Sequence, residues 1–314
     1  MKPASLPTVA APLPHHLPSL DGLRGLAIVL VLLHNFDVLD LAGPHSLAAA
    51  LLKEVFFLGW IGVQLFFVLS GFLITRGLLA TQQSDHYFSH FMLKRALRIF
   101  PLYYLALGLF TLLLPKLGLI APPADPTWWL WVYLANWSIP LHLGGESMPH
   151  FWSLAVEEQF YLLWPLLLWR LRLRQVAWLC LALMLLSPLL RWLLMSDGEP
   201  PEALYEFTVC RMDALAAGAA LAAWFHRPLR EPAQPGEPID TSSIVRQLTR
   251  HIERWSAGRW GALTAGLLVA TALSSHGFWR LGATAQVLGY SLLALSFTAM
   301  VGWAVLSDQA ASQG

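Results

Sequence analysis

Charge is what this chain has least of. Only 12% of its 314 residues are Asp, Glu, Lys or Arg, against 56% hydrophobic, and its 20 basic and 19 acidic groups leave a formal charge of +1. That balance offers no positive excess to hold nucleic acid, and so apolar a composition excludes a disordered chain. Cysteine is also scarce. Cys180 and Cys210 are the only two, too few for a disulfide framework or a zinc site built from cysteine alone, and they read as small core residues. A signal peptide is missing as well: residues 1–19 are proline-rich with a paired His15 and His16, and no apolar core precedes a small-residue cleavage site.

What the chain has instead is long apolar runs, at about 20–39, 56–79, 96–114, 151–169, 176–195, 204–225, 260–274 and 283–306. A helix needs roughly 20 residues to cross a hydrocarbon core of about 30 Å. The expected fold is all-α, a polytopic transmembrane bundle of about eight spanning helices over residues 20–306, with a tail at 1–19 and a polar end at 307–314. The shortest run spans only if Gly258 to Ser275 is recruited. Trp128, Trp129, Trp131, Tyr133 and Trp137 crowd a stretch too short and too aromatic to span, which reads as an interfacial or re-entrant segment.

Orientation follows from the basic residues, because positive loops stay in the cytoplasm. With the amino terminus inside, the inner loops collect Lys94 and Arg95, then Arg170, Arg172 and Arg174, then the basic residues of loop 226–259. The outer loops hold Lys53, Lys116 and Arg280, with the acidic Asp197, Glu199 and Glu202. Both termini and loop 226–259 are therefore expected in the cytoplasm.

Polar groups inside spans need a reason, since a central charge costs about 2.5–3.5 kcal/mol on insertion scales. The first span begins Leu20-Asp21-Gly22-Leu23-Arg24-Gly25 and carries His34, Asn35 and Asp37; the second contains Phe66-Phe67-Val68-Leu69-Ser70-Gly71-Phe72-Leu73-Ile74. The third opens with Lys94 and Arg95 and runs through Arg98 to Tyr104. The fourth reads Ser153-Leu154-Ala155-Val156-Glu157-Glu158-Gln159-Phe160-Tyr161 and on to Pro165, and the sixth carries Arg211-Met212-Asp213-Ala214-Leu215.

Taken together and in this order, these blocks resemble the acyltransferase-3 family of bacterial integral membrane O-acyltransferases. The resemblance implies a multi-pass protein of the bacterial inner (cytoplasmic) membrane that moves an acyl group, most simply acetyl, from cytoplasmic acyl-coenzyme A to a hydroxyl of a carbohydrate, polysaccharide or lipid-linked acceptor of the cell envelope. It implies no resident cofactor, acyl-coenzyme A being a co-substrate. Family members usually have about ten spanning helices, so the last ones are expected to be absent here.

Depth gives the candidates their roles. Counting 1.5 Å per residue from the helix ends places His34, Glu157 and Arg211 in one layer, each roughly 10 Å from the outer boundary. His34 is then the general base, with an ordinary imidazole suited to proton transfer near neutrality. Glu157 orients or balances it, and Arg211 holds the oxyanion. Arg24, Ser70, Arg95 and Arg98 fall toward the inner boundary and are the expected donor site, because arginine forks bind phosphate bidentately. Glu158, Tyr161 and Asp213 are secondary candidates, and no metal is called for. Direct transfer is expected, since Ser70 has no base near it in sequence and lies at another depth. Glu157 paired with Arg211, Arg95 and Arg98 as membrane anchors, and Ser70-Gly71 as a packing site remain alternative readings. A solute or acyl transporter and an inactive truncated family member are the rival functions; against the transporter, the two halves show no internal repeat.

Overall fold

The apolar runs fold as helices, and among the described residues there is no strand. The structure is a computed structural model that describes residues 16–35, 58–141, 148, 150–226, 257–274 and 281–312. Asp37, Lys53, most of loop 226–259 and most of tail 1–19 lie outside them.

Helix α1 is Pro18–Asn35 and α2 is Ile61–Thr81, the latter entered through a 3-10 turn at Leu58–Trp60. Helix α3, Tyr87–Gly108, continues through a π turn at Leu109–Leu113 to Lys116. A short α4, Trp128–Trp131, and a 3-10 turn at Ala135–Trp137 precede α5, Phe151–Arg170. Then come α6, Leu173–Ser196, α7, Pro201–Glu206, α8, Thr208–Phe225, and α9, Ala257–Ser274. A second π turn, Ala285–Gly289, leads into α10, Tyr290–Ala311. Among the described residues, five helical stretches are long and apolar enough to cross a membrane, within 61–81, 87–116, 173–196, 201–225 and 285–309. Helix α5 interrupts its apolar run with Glu157-Glu158-Gln159.

Burial sorts these helices into centre and periphery. The apolar windows of α2 and of α7–α8 are 67% and 72% buried, whereas those of α3 and α6 are 17% and 22% buried. The central pair approaches at backbone distance: a Cβ on Gly71 would meet the Leu215 carbonyl, and one on Gly218 the Val68 carbonyl. Small residues are what allow two membrane helices so close. The Ser70-Gly71 packing role read from sequence is therefore present, carried by the glycine.

Helix α1 lies antiparallel to α2, with Gly62 against Ala27 and Leu30, and Gly59 against Leu30 and His34. The Ser19 hydroxyl and amide both donate to Asp308, at 2.6 and 3.1 Å. The start of α1 and the end of α10 thus share one end of the bundle, here the near end. The α2–α3 turn lies at the same end.

Three boundaries differ from expectation. Helix α3 starts at Tyr87 rather than near 96, so Lys94, Arg95 and Arg98 stand two to three turns into a helix rather than at its mouth. The polar residues of its first turns hid it from a hydrophobicity count. The run at 204–225 is broken at Phe207, whose ψ of 128° is extended. Helix α10 runs on to Ala311, into the stretch read as a polar end.

The aromatic stretch packs into the bundle. Asn136, fully buried, donates to Thr208 at 2.5 Å, and Gln159 donates to Asn136 and to the Tyr133 carbonyl at 2.9 and 2.8 Å. The last of these bonds pairs a non-helical carbonyl that lipid would leave unpaired. Tyr103 and Tyr104 of α3 donate to the carbonyls of Leu130 and Trp131.

Candidate functional site

Three stations line up along α2. The first, at the near end, is a cavity of about 500 Å³ between the last turns of α2 and the first half of α3. Leu73, Ile74, Gly77 and Thr81 form one wall, Ser84 and His86 the turn, and His90, Lys94, Arg95 and Arg98 the other wall. His86, His90, Lys94 and Arg98 recur every four residues, so one helical stripe faces the cavity with groups that bind anions. Arg95 and Arg98 occupy this wall as expected. Arg24 and Ser70 do not line it.

Arg95 connects the cavity to the second station. Its guanidinium lies 4.8 Å from the Tyr161 ring and 5.6 Å from that of Phe91, within cation–π range. The Tyr161 hydroxyl donates to one Glu157 oxygen at 2.9 Å, and the Ser70 hydroxyl donates to the other at 2.5 Å. Glu157 is 5% exposed, and the fields of Arg95 and Arg24 reach its carboxylate. This cluster forms a neck above the cavity. It corrects the depth count for Ser70, which lies at the level of Glu157 and has a carboxylate on its hydroxyl. The count assumed that all helices start in one plane, but α5 starts deep, with Trp152 edge-on to Phe67 at 5.9 Å.

The third station is farther along. Arg211 is fully buried and donates to the Gln64 oxygen at 2.6 Å. Its guanidinium lies 4.5 Å from Tyr290, 5.0 Å from Tyr205 and 5.7 Å from both Phe67 and Trp152. Among the described residues neither its Nε nor its Nη1 has a hydrogen-bond partner, and the Trp60 indole nitrogen is in the same position. Buried donors are nearly always paired, so a guanidinium with two idle nitrogens is suited to an oxygen brought by a ligand. The alternative reading of a Glu157–Arg211 ion pair is not met: Arg211 bonds to Gln64 and Glu157 to Ser70 and Tyr161.

His34 and Glu157 do not share a layer. His34 meets α2 at Gly59, and Ser70 is eleven residues on, or about 16 Å along the axis. Gln64, which holds Arg211, is only five residues from Gly59, about 7 Å. Side chains lean toward the start of their own helix, so the imidazole leans from Gly59 toward the Arg211 level. The structure thus joins Glu157 with Ser70 and Tyr161 by hydrogen bonds, while His34 falls nearer in depth to Arg211 than to Glu157.

Asp213 joins neither group. Fully buried Arg191 of α6 donates to its carboxylate at 2.8 Å and to Ser291 at 2.7 Å, and also to the Cys210 carbonyl. Arg191 was missed in the sequence although a lone arginine inside an apolar span is a clear signal. His86 and His90 were missed because they precede the hydrophobic run.

Glu158 lies about 100° round α5 from Glu157, within reach of the phenols of Tyr103, Tyr104 and Tyr133 and of the Arg95 charge. Burial first, then Glu158 and the two neighbouring tyrosines, hold the Tyr133 phenol well above its ordinary pKa, so it stays a donor. Among the described residues no group of three His, Cys, Asp or Glu side chains is placed to hold a metal.

Residues 17–312 match the family described as "Acyltransferase domain", acyltransferase-3. The chain is 32% identical over 229 residues to YrhL of Bacillus subtilis, covering 66% of this chain and 33% of that protein. It is 30% identical over 230 residues to the peptidoglycan O-acetyltransferase OatA of Listeria monocytogenes, 66% of this chain and 34% of the relative. Against the O-acetyltransferase OatA of Staphylococcus aureus it is 32% identical over 169 residues, 49% and 25% of the two chains. The chain thus spans about a third of the length of the first two relatives. No solved structure is a significant match.

Proposed function

Because the chain belongs to the acyltransferase-3 family, we propose that it is a multi-pass O-acyltransferase that moves an acyl group, most simply acetyl, from acyl-coenzyme A to a hydroxyl of a cell-envelope carbohydrate. The near end, with both termini, faces the cytoplasm of a bacterial inner membrane, consistent with the basic stripe there. The observation that carries the reading is the cavity of about 500 Å³ whose wall repeats His86, His90, Lys94 and Arg98 and whose upper lip is Arg95. Its size suits a small-molecule site and its charge suits phosphates.

The donor's phosphates lie against Arg95, Arg98 and Lys94, with Arg24 adding positive field near the neck. The pantetheine arm passes Ser70, Glu157 and Tyr161, polar groups able to hold its amides. From Ile74 at the cavity to Gln64 is ten residues of α2, about 15 Å, which an extended arm covers. The thioester then reaches the level of Arg211. There the idle Nε and Nη1 of Arg211 donate hydrogen bonds to the developing oxyanion, and His34 takes the proton of the attacking hydroxyl. The acyl–sulfur bond breaks, the acyl–oxygen bond forms, and the thiol leaves with a proton. Peptidoglycan is the acceptor suggested by the name of the Listeria relative.

A second reading rests on one contact. The Ser70 hydroxyl already donates to Glu157 at 2.5 Å, which is the geometry of a serine nucleophile and its base. In that reading Ser70 carries the acyl group between donor and acceptor.

The donor site is tested by titrating purified protein with acetyl-coenzyme A. Arg98→Ala should weaken binding by roughly tenfold to a hundredfold, since it loses a charge-assisted phosphate bond of about 1.5–3 kcal/mol. Unchanged affinity would make Arg98 a membrane anchor and remove the main support for this cavity as the donor site.

A further inference from the structure

Two groups in the cavity wall have no part in the transfer scheme. His86, in the turn before α3, and His90, one turn into it, line the same wall as Lys94 and Arg98 but stand nearest the near end. From Arg95, at the neck, back to His90 is five residues of α3, about 7 Å, and to His86 nine residues, about 14 Å. The stripe of anion-binding groups is therefore longer than one diphosphate needs.

The wall across from the histidines carries no charge. Leu73, Ile74, Gly77 and Thr81 of α2 form it, and the Thr81 hydroxyl donates to the Gly77 carbonyl at 3.0 Å. A Cβ on Gly77 would meet nothing within 4 Å, so there is open space beside α2 at this level. Among the described residues no acidic side chain lines the cavity, so no carboxylate competes with an entering anion for the α3 wall. Among the same residues no third ligand joins the two histidines to hold a metal.

The turn that carries them is fixed in place. Gln82 donates to the Leu168 carbonyl at 2.8 Å, and the buried Tyr87 donates its hydroxyl to the Pro165 carbonyl at 3.3 Å, both acceptors being on α5. The His86 amide donates to the Ser84 hydroxyl at 3.4 Å. Imidazoles on a turn tied down on both sides meet a ligand at little ordering cost.

Direction along the cavity decides what they meet. With the donor's diphosphate against Lys94, Arg95 and Arg98 and its pantetheine arm leaving through the neck, the ribose lies on the other side of the diphosphate, toward the near end. Its 3′-phosphate stands about a ribose width from the diphosphate, comparable to the one helical turn, about 5–6 Å, from Lys94 to His90. That group is a phosphate monoester, largely a dianion near neutrality. An imidazole facing a dianion takes up a proton and donates to it, whereas one facing an uncharged hydroxyl gains little.

We infer that His86 and His90 recognise the 3′-phosphate of the donor and so set the site's preference for coenzyme A over its 3′-dephospho form. The inference rests on the donor reading of the cavity, and two ligands separate the one from the other. The purified full chain is titrated with acetyl-coenzyme A and with acetyl-3′-dephospho-coenzyme A. The wild type should bind the first roughly tenfold or more tighter than the second. His86→Gln and His90→Gln should each weaken acetyl-coenzyme A binding roughly threefold to tenfold, and the double variant should bind the two ligands alike. Affinity for the dephospho ligand should stay within about twofold in all three. Arg98→Ala, which meets the diphosphate, should weaken both ligands to the same degree. Equal wild-type affinity for the two ligands overturns the assignment, as do histidine variants that weaken both equally, the mark of a general field or a disturbed turn. A wild-type chain that binds neither ligand is a different result: it strikes the donor reading itself, and the histidine assignment falls with it.

Discussion

Two arginines, Arg191 and Arg211, are both fully buried in the membrane-crossing part of the molecule, and their surroundings differ in kind. Arg191 sits between α6, α8 and α10 with Asp213, Ser291 and the Cys210 carbonyl on its terminal nitrogens. Ser291 closes the arrangement by donating to the same Asp213 oxygen at 2.6 Å. Arg211 sits between α2, α5, α8 and α10 with one amide oxygen and four rings. Rings stabilise a cation through their faces without occupying its N–H groups. A neutralised pair holds helices together, whereas an unneutralised cation keeps its field for charge that arrives with a substrate. Burial alone does not separate structure from function here; the partner does.

The largest expected effect breaks the first region. Asp213→Ala leaves Arg191 charged and buried without its carboxylate, which should cost about 3–5 kcal/mol. Thermal unfolding in detergent measures it. Replacing both partners, Arg191→Met with Asp213→Leu, should return most of that loss, and a double variant as unstable as the single one would show that the charge was not the cause. The second region should respond in the opposite way. His34→Ala should slow single-turnover transfer by about 10²–10⁴, and Arg211→Gln by about 10²–10³. Donor affinity should remain within about threefold in each. An active His34→Ala protein would remove the general base from the scheme, and an Arg211→Gln protein that transfers normally but unfolds early would make the two arginines alike.

How much of this was legible in the sequence depends on which physical signal carries it. Apolar runs gave the bounds of α5, α6 and α9 to within about three residues, because an apolar run marks where a buried or lipid-facing helix begins and ends. The start of α3 was not legible: His86, His90, Lys94 and Arg98 suppress hydropathy while keeping helical spacing, and only a search for periodic charge finds them. The candidate residues were found as polar intruders in apolar helices, and His34, Glu157 and Arg211 all stand facing neighbouring helices. Their grouping was lost because depth was counted from helix ends. The stagger between α2 and α5 comes from side-chain packing, Phe67 against Trp152, and no single-helix count contains it. Arg191 shows the reverse failure, a visible signal passed over because its helix carried no motif.

The smallest expected effect sharpens the comparison at the neck between the regions. Under direct transfer Ser70 only steadies Glu157, which keeps the Tyr161 bond at 2.9 Å when the serine hydroxyl is gone. Ser70→Ala then costs about 1–3 kcal/mol of stability at most and leaves transfer within roughly tenfold of the original rate, the scale of one lost hydrogen bond. Under the acyl-enzyme reading the same change removes the nucleophile. Glu157 takes the serine proton, the serine oxygen bonds to the acyl carbon, and the thiol leaves with that proton, so protein mixed with acetyl-labelled coenzyme A and no acceptor becomes labelled on the peptide containing Ser70. Label that disappears in Ser70→Ala, together with loss of transfer, would replace direct transfer by a relay. An unlabelled wild-type chain with an active Ser70→Ala variant would leave the thioester travelling past the neck to His34 and Arg211, and would make the short Ser70–Glu157 bond a structural clasp like the one at Arg191.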